Sequence, residues 1–393
     1  IPERGIIPRS MFGSLCYAGA FTIVVPRLSN PVRYSVQLAR ALRPLFFLSI
    51  SLIPPVFSQS VFVLPSPTTG QADPDLNAAS YDPSTLTVNG QFKAGTGAYR
   101  VISTADGSKF YVLSNDPQMP LYSVSGDLAT VKPLSGVYSG ITQATLLPDG
   151  SQLYVISGGA LVGYATNNDT VIPLPAVPSN TAVADIDGAV DASQIFAILT
   201  SSLNNTSETI SASTHKVTQT MLLPMIPSAV TVGPNGLVYV SGANTILEID
   251  PNSYQILHQY SITATPGKLA FTPDGHYALA NNLASDGTVA VTAIDLQSHS
   301  VAGTIPSTAL PPGTTINAIW PINSTIALGY VQATQKIYNI SLSPLGISSN
   351  GLLPTSKPIV ALALSGDIAS SAHPSTQNLF FSTSNKLQRL TLA

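Results

Sequence analysis

Lys268-Leu269-Ala270-Phe271-Thr272-Pro273-Asp274-Gly275-His276-Tyr277-Ala278-Leu279-Ala280 is the stretch on which the reading of the fold turns. Two short apolar runs flank Pro-Asp-Gly. Proline presets φ, the aspartate bonds back to the backbone and glycine accepts a positive φ, so the segment reads as two strands joined by a tight turn. Downstream, Thr288-Val289-Ala290-Val291-Thr292-Ala293-Ile294 supplies a third strand and Ser300-Val301-Ala302-Gly303-Thr304-Ile305 a fourth. The first three are apolar, as strands covered on both faces must be. The fourth is more polar, as suits an outer edge that must not pair with another chain.

The same unit recurs along the chain. The turn appears at Ala105-Asp106-Gly107, Pro148-Asp149-Gly150, Pro234-Asn235-Gly236 and Pro273-Asp274-Gly275, and more loosely at Asp191-Ala192-Ser193, Asn323-Ser324-Thr325 and Pro374-Ser375-Thr376. Anchored on Asp106, Asp149, Asp191, Asn235, Asp274, Asn323 and Thr376, the steps are 43, 42, 44, 39, 49 and 53 residues. Repeats of about 40–45 residues, each holding several short strands, predict a β-propeller of four-stranded antiparallel blades. Seven anchors predict seven blades over residues 86–393. The last unit offers strands only at Ile359–Leu364, Leu379–Ser382 and Leu387–Leu392, so Leu86–Phe92 is expected to pair with it and close the ring.

The residues of these units resemble the YVTN family of β-propeller repeats, with Pro-Asp-Gly, then Tyr-Val, then Val-Ile-Asp and a closing Thr-Ile. Pro148-Asp149-Gly150 with Tyr154-Val155 carries the likeness. So do Tyr239-Val240 with Glu248-Ile249-Asp250, and Thr292-Ala293-Ile294-Asp295 with Val301–Pro306. It spans residues 86–393 and is weaker in the third, sixth and seventh units. The resemblance implies a secreted or cell-surface propeller of the kind found in bacterial envelopes, and it implies no activity, because one scaffold hosts many functions. The Trp-Asp signature of WD40 propellers is absent, since the sole tryptophan, Trp320, precedes Pro321.

Composition agrees with an all-β body. Charged residues are only 9 % of the chain, so Ser, Thr, Asn and Gln must supply the polar surface, and 32 Pro with 28 Gly leave little room for helices. From residue 61 onward 10 basic side chains face 18 acidic ones, which disfavours nucleic-acid partners. The single cysteine, Cys16, lies outside the body, so thiol chemistry and Cys-ligated zinc are excluded there. Arg33, Arg40 and Arg43 precede the apolar run Leu45–Ile53, Pro54-Pro55 and Val56-Phe57-Ser58. This pattern predicts a secretory signal cleaved after Ser58 or Ser60, with a core too short to span a bilayer. Residues 1–58 are thus expected to be a leader, of which 1–31 read as upstream or fragment sequence. Residues 59–85, rich in Pro, Ser, Thr and Asp, are expected to be an extended linker.

Candidate chemistry is sparse. Six residues before each of the first six turn anchors stand Arg100, Gln143, Asp185, Ala229, Lys268 and Asn317, five of them polar, near the start of an apolar innermost strand. Innermost strands surround a propeller's axis, so these positions predict a polar ring at the channel mouth that could bind a small ligand or water. Polar strand starts that merely emerge into solvent would look the same. The connections between second and third strands are expected on that face, with Asn115, Asp116, Asn204, Asn205, Asn244, Asn281 and Asn282 suited to glycan or peptide contacts, or to plain solvated turns. Asp185, Asp187 and Asp191 imitate a calcium loop but lack its remaining acids. His215, His258, His276, His299 and His373 show no metal spacing and read as surface residues. No cofactor, metal or catalytic set is expected.

Together these readings predict an exported, monomeric, non-catalytic module that binds a protein or glycan, with no transmembrane span after signal cleavage. A lactonase-like hydrolase at the channel mouth and a structural spacer in a larger envelope protein are the alternatives.

Overall fold

The computed structural model describes the strands Ala20–Pro26, Pro31–Gln37, Val61–Val63, Asn77–Tyr81 and Val88–Lys93, then most of 98–347, and the strands Ile359–Leu364, Gln377–Thr383 and Lys386–Leu392. Within 98–347 the description omits 105–106, 138–139, 203, 264, 283–288, 332–333 and 335. The chain divides into two compact units, Ile1–Val56 and Phe57–Ala393. In the first, Ala20–Pro26 pairs antiparallel with Pro31–Gln37. The expected signal core and its cut site lie outside the described residues. Among those residues no helix is long and apolar enough to cross a membrane, and Ser307–Ala309 is a 3-10 turn.

The second unit is all-β, with six four-stranded antiparallel sheets, each built from four consecutive strands in chain order. Sheet one covers Ala98–Pro133, sheet two Ile141–Ile172, sheet three Thr181–Leu222, sheet four Pro227–Ser261, sheet five Pro266–Pro306 and sheet six Ala318–Ile347. Strands are called A to D within each. Sheet five reproduces the deciding stretch, with A at Pro266–Phe271, B at Tyr277–Asn282, C at Val289–Asp295 and D at Ser300–Pro306.

The turns form as their chemistry dictates. Gly107, Gly150, Gly236 and Gly275 have φ between 67° and 79°, the left-handed region that lacks a steric penalty only for glycine. The side chains of Asp149, Asp191, Asn235, Asp274 and Asn323 each accept a bond from the backbone N–H two residues on, at 2.8–3.2 Å. The degenerate third copy keeps the geometry without the glycine, for Ala192 sits at φ 61° and its amide bonds Ala189 O at 2.9 Å.

Packing explains the stacking. Strand B is buried along almost its whole length in sheets one to four, whereas strand D of sheets three to five is mostly exposed. Each apolar cluster belongs to two consecutive sheets. Tyr111 and Leu113 of sheet one meet Leu153, Val155 and Tyr164 of sheet two. Tyr154 and Ile156 of sheet two meet Ile195 and Ala197 of sheet three, and the pattern continues into sheet six. A small sheet cannot cover its own faces, so its neighbour must.

Polar stitches reinforce this stack. Asp169, at φ 60° in the C–D turn of sheet two, is nearly buried and reaches sheet one. Its Oδ1 accepts from Lys109 Nζ at 2.9 Å and Tyr111 OH at 3.0 Å, while Oδ2 accepts from Ser123 Oγ at 2.9 Å. Burial and this carboxylate push the Tyr111 phenol far up, so it remains a neutral donor.

The ends depart from expectation. Val88–Lys93 does not complete the last sheet; it pairs with Asn77–Tyr81, which pairs with Val61–Val63. The segment expected as a linker therefore contains two strands of a three-stranded sheet. A hairpin across the short connection Asp82–Thr87 closes a far smaller loop than pairing with a strand almost 300 residues away, and the local choice costs less chain entropy. Phe92, from this sheet, packs against Phe110, Val112 and Tyr122 of sheet one. At the other end, Ile359–Leu364, Gln377–Thr383 and Lys386–Leu392 form the second three-stranded sheet, at the strands expected.

Two outcomes test this account. Ala192→Gly, which removes a left-handed alanine, is expected to stabilise by about 0.5–1 kcal/mol in urea denaturation. Asp169→Asn keeps a residue that tolerates the left-handed turn but removes the charge, and should cost about 2 kcal/mol by leaving Lys109 and Tyr111 short of their acceptor. An unchanged midpoint for Asp169→Asn would remove this stitch from the fold's energetics.

Candidate functional site

The A strands of sheets one to five share a distortion. Their pairing with strand B slips between Ala98 and Arg100, Ile141 and Gln143, Val183 and Asp185, Pro227 and Ala229, and Pro266 and Leu269. A β-bulge inserts one residue and re-aims the side chain that follows. Each slip falls immediately before, or around, the ring positions Arg100, Gln143, Asp185, Ala229 and Lys268.

The structure brings four of these side chains into contact. Arg100 Nη1 donates to Gln143 Oε1 at 2.8 Å, and Gln143 Nε2 donates to Asp185 Oδ1 at 3.1 Å. Lys268 Nζ lies 3.3 Å from the same Oδ1 and donates to Ile186 O at 2.8 Å. Sheets one, two, three and five thus contribute to one polar chain. Lys268 passes over sheet four, where the ring position is Ala229, a buried residue with no side chain long enough to block it. Asn317 lies exposed just before strand A of sheet six, and its backbone N donates to Tyr330 O at 2.8 Å.

The acids beside this contact chain are tied to the backbone. The Asp185 carboxylate is only 6 % exposed, and its Oδ2 accepts from Val230 N at 2.9 Å. Asp187 accepts from Val232 N at 2.9 Å and Gly188 N at 3.0 Å. Burial pushes the Asp187 carboxyl up, against the opposing pull of Lys268 and the two amides. Asp191 instead bonds Ser193 inside its own turn, so the three acids that imitate a calcium loop serve separate ends.

The amide residues divide. Asn115 is exposed and Asp116 half-buried in the B–C connection of sheet one, where Asp116 Oδ1 accepts from Gln118 N at 2.9 Å. Asn244 is exposed in the B–C turn of sheet four at φ 54°, and Asn204 is exposed in that of sheet three. Asn281 and Asn282, expected in a loop, instead end strand B of sheet five. Asn281 Nδ2 donates to Ile316 O at 2.9 Å in the lead into sheet six, and buried Asn282 donates to Val289 O at 2.9 Å. Both side-chain amides thus donate to backbone carbonyls, Asn282 within sheet five and Asn281 across to sheet six.

A cluster that sequence reading missed lies between sheets four and five. Glu248 in strand C of sheet four is 1 % exposed and sits directly opposite His258 of strand D. His299, at φ 50° in the C–D turn of sheet five, brings Nδ1 to 3.6 Å from Glu248 Oε2. The two imidazoles stack with centroids 3.7 Å apart and planes 12° from parallel. Tyr260 OH donates to Glu248 Oε2, and burial with that carboxylate pushes the phenol far up. Among the described residues, donors from Glu248, His258 and His299 lie within 4.8 Å of one another, a set able to hold a metal ion. The signal was available in repeat alignment. His299 occupies the turn position of Asp169, and the Glu248–His258 pair occupies that of Ser123–Lys132. His276 behaves as a surface residue, stacked on Tyr277 with Nε2 3.4 Å from Asp295.

Comparison with known proteins bears on the fold. No family model and no curated relative matches the chain. Among solved structures, a dihydro-heme d1 dehydrogenase, NirN, in complex with DHE aligns with TM-score 0.61 and 13 % identity, over 86 % of this chain and 74 % of that one. The Cps50 (Swd1) β-propeller domain of Myceliophteria thermophila aligns with TM-score 0.51 and 13 % identity, over 70 % and 91 %. At such identity the likeness extends to architecture alone, and with the sheet order it makes the body of this chain a β-propeller.

Proposed function

We propose that this chain is an exported, non-catalytic binding module that engages a carboxylate-bearing group of a protein or glycan at the cell envelope. The carrying observation is the unbroken contact from Arg100 through Gln143 and Asp185 to Lys268. Lys268 pairs with the buried Asp185 carboxylate, and Arg100 is linked to that carboxylate through Gln143. Arg100 is exposed and its planar guanidinium presents a fork of donors matched to a carboxylate. Asp185 and Asp187 are engaged by backbone amides, which favours a fixed recognition surface over a hydrolase that needs a carboxylate at liberty to move protons. Export is supported by the basic and apolar pattern of Arg33–Ser58. The sheet of Val61–Lys93 packs on sheet one through Phe92, and we infer that it adds an eighth blade to the seven counted from the turns.

Calorimetric titration of the full chain with trigalacturonate and with an aspartate-rich peptide tests the ring. One of them is expected to bind in a salt-sensitive manner, and Arg100→Ala should weaken it at least about tenfold at an unchanged melting temperature. Absence of binding to both, or binding indifferent to Arg100→Ala, overturns the recognition role.

Asp187 offers a separate readout. A carboxyl whose folded pKa is raised contributes stability that is present below its ordinary pKa and lost as pH rises through the folded value. The stability difference between wild type and Asp187→Asn, read by urea denaturation over a pH series, should therefore move against wild type as pH rises above the ordinary carboxylate range.

A further inference from the structure

We propose that Glu248, His258 and His299 form a binding site for a divalent zinc-class metal ion, in the seam between sheets four and five. This inference is independent of the ring at the channel mouth and stands on different residues.

Two imidazoles and one carboxylate from three separate strands and turns converge, with all donor atoms within 4.8 Å of one another. Tetrahedral zinc with bonds of about 2.0–2.1 Å needs donors about 3.4 Å apart. Glu248 Oε2 and His299 Nδ1 already stand 3.6 Å apart. The stacked rings must turn toward a common point, and the side chain of His299, 41 % exposed on a turn, has the room to do so. Imidazole and carboxylate together suit zinc, cobalt and nickel, whereas calcium and magnesium require a shell of oxygens that this seam does not offer. Tyr260 bonds the carboxylate from outside the set, the arrangement by which second partners orient a metal ligand.

Glu248 is a carboxylate with 1 % exposure, and a buried carboxylate requires a cationic partner. At the matching seam between sheets one and two, that cation is the ammonium of Lys109, held by Asp169, with Tyr111 and Ser123 bonding the same carboxylate. In sheet four Tyr239 aligns with Tyr111, and the residue two before it is Leu237, which carries no charge. Among the described residues, the ion-pair partner of Glu248 is His299, an imidazole that is charged only when protonated. A bound divalent ion would set a positive charge against Glu248 in this seam, as Lys109 sets one against Asp169 between sheets one and two.

The test is titration of the chelator-treated, tag-free full chain with zinc chloride by calorimetry, and with cobalt chloride by visible absorption. The expected result is one ion per chain, a cobalt spectrum of low-symmetry N/O coordination and a rise in melting temperature with zinc. His299→Ala and His258→Ala should each weaken zinc binding at least about tenfold, measured on material that circular dichroism shows to be folded. Because Glu248 is buried and its loss could unfold the protein, Glu248→Gln is read only through the cobalt spectrum of folded material, which should lose its intensity. His276→Ala, outside the seam, should leave binding unchanged. Absence of zinc binding, or affinity equal in wild type, His258→Ala and His299→Ala, overturns the site and leaves the cluster a polar packing contact.

Discussion

The structure depends on one constraint: a four-stranded sheet of short strands has two apolar faces and no means of covering either. Every apolar cluster of the body joins consecutive sheets, and strand B, buried on both sides, is the element through which they meet. The polar character of strand D follows, because the outermost strand has solvent beyond it and must stay unattractive to other edges. Function is left to what lines the inner strands and what fills the seams.

The seams are not purely apolar. Asp185 and Asp187 of sheet three bond amides of sheet four, the Thr231 hydroxyl accepts from Leu269 N of sheet five, and Asn281 donates to Ile316 O before sheet six. Each such bond satisfies a buried polar group and also fixes how far one sheet slides on the next, which apolar contact alone leaves loosely specified. The same device explains why seams differ in chemistry. Asp169 meets the ammonium of Lys109, whereas Glu248 meets two imidazoles.

The inner strands use their bulges in a comparable way. The slip falls at the same place in each of these strands, and there Arg100, Gln143 and Asp185 form a shared chain of contacts. The turn spacing placed these positions in equivalent places along the sequence, so the four residues of this contact chain could be named from it. Their mutual bonding could not, because it depends on Ala229 leaving a path for Lys268 across a whole sheet.

Short-range chemistry was legible in the residues themselves. Pro-Asp-Gly turns, strand limits in sheet five and the strands at Ile359–Leu392 all rest on interactions within a few residues, and sequence alone determines those. Tertiary structure decided the partner of Val88–Lys93, the sheet role of Asn281 and Asn282, and the meeting of Glu248, His258 and His299. The physical reason is common to all three. Which strand a segment pairs with, and what a side chain meets across a seam, are settled by competition among loop-closure entropy, burial and the spacing of stacked sheets, and no local run of residues carries that information.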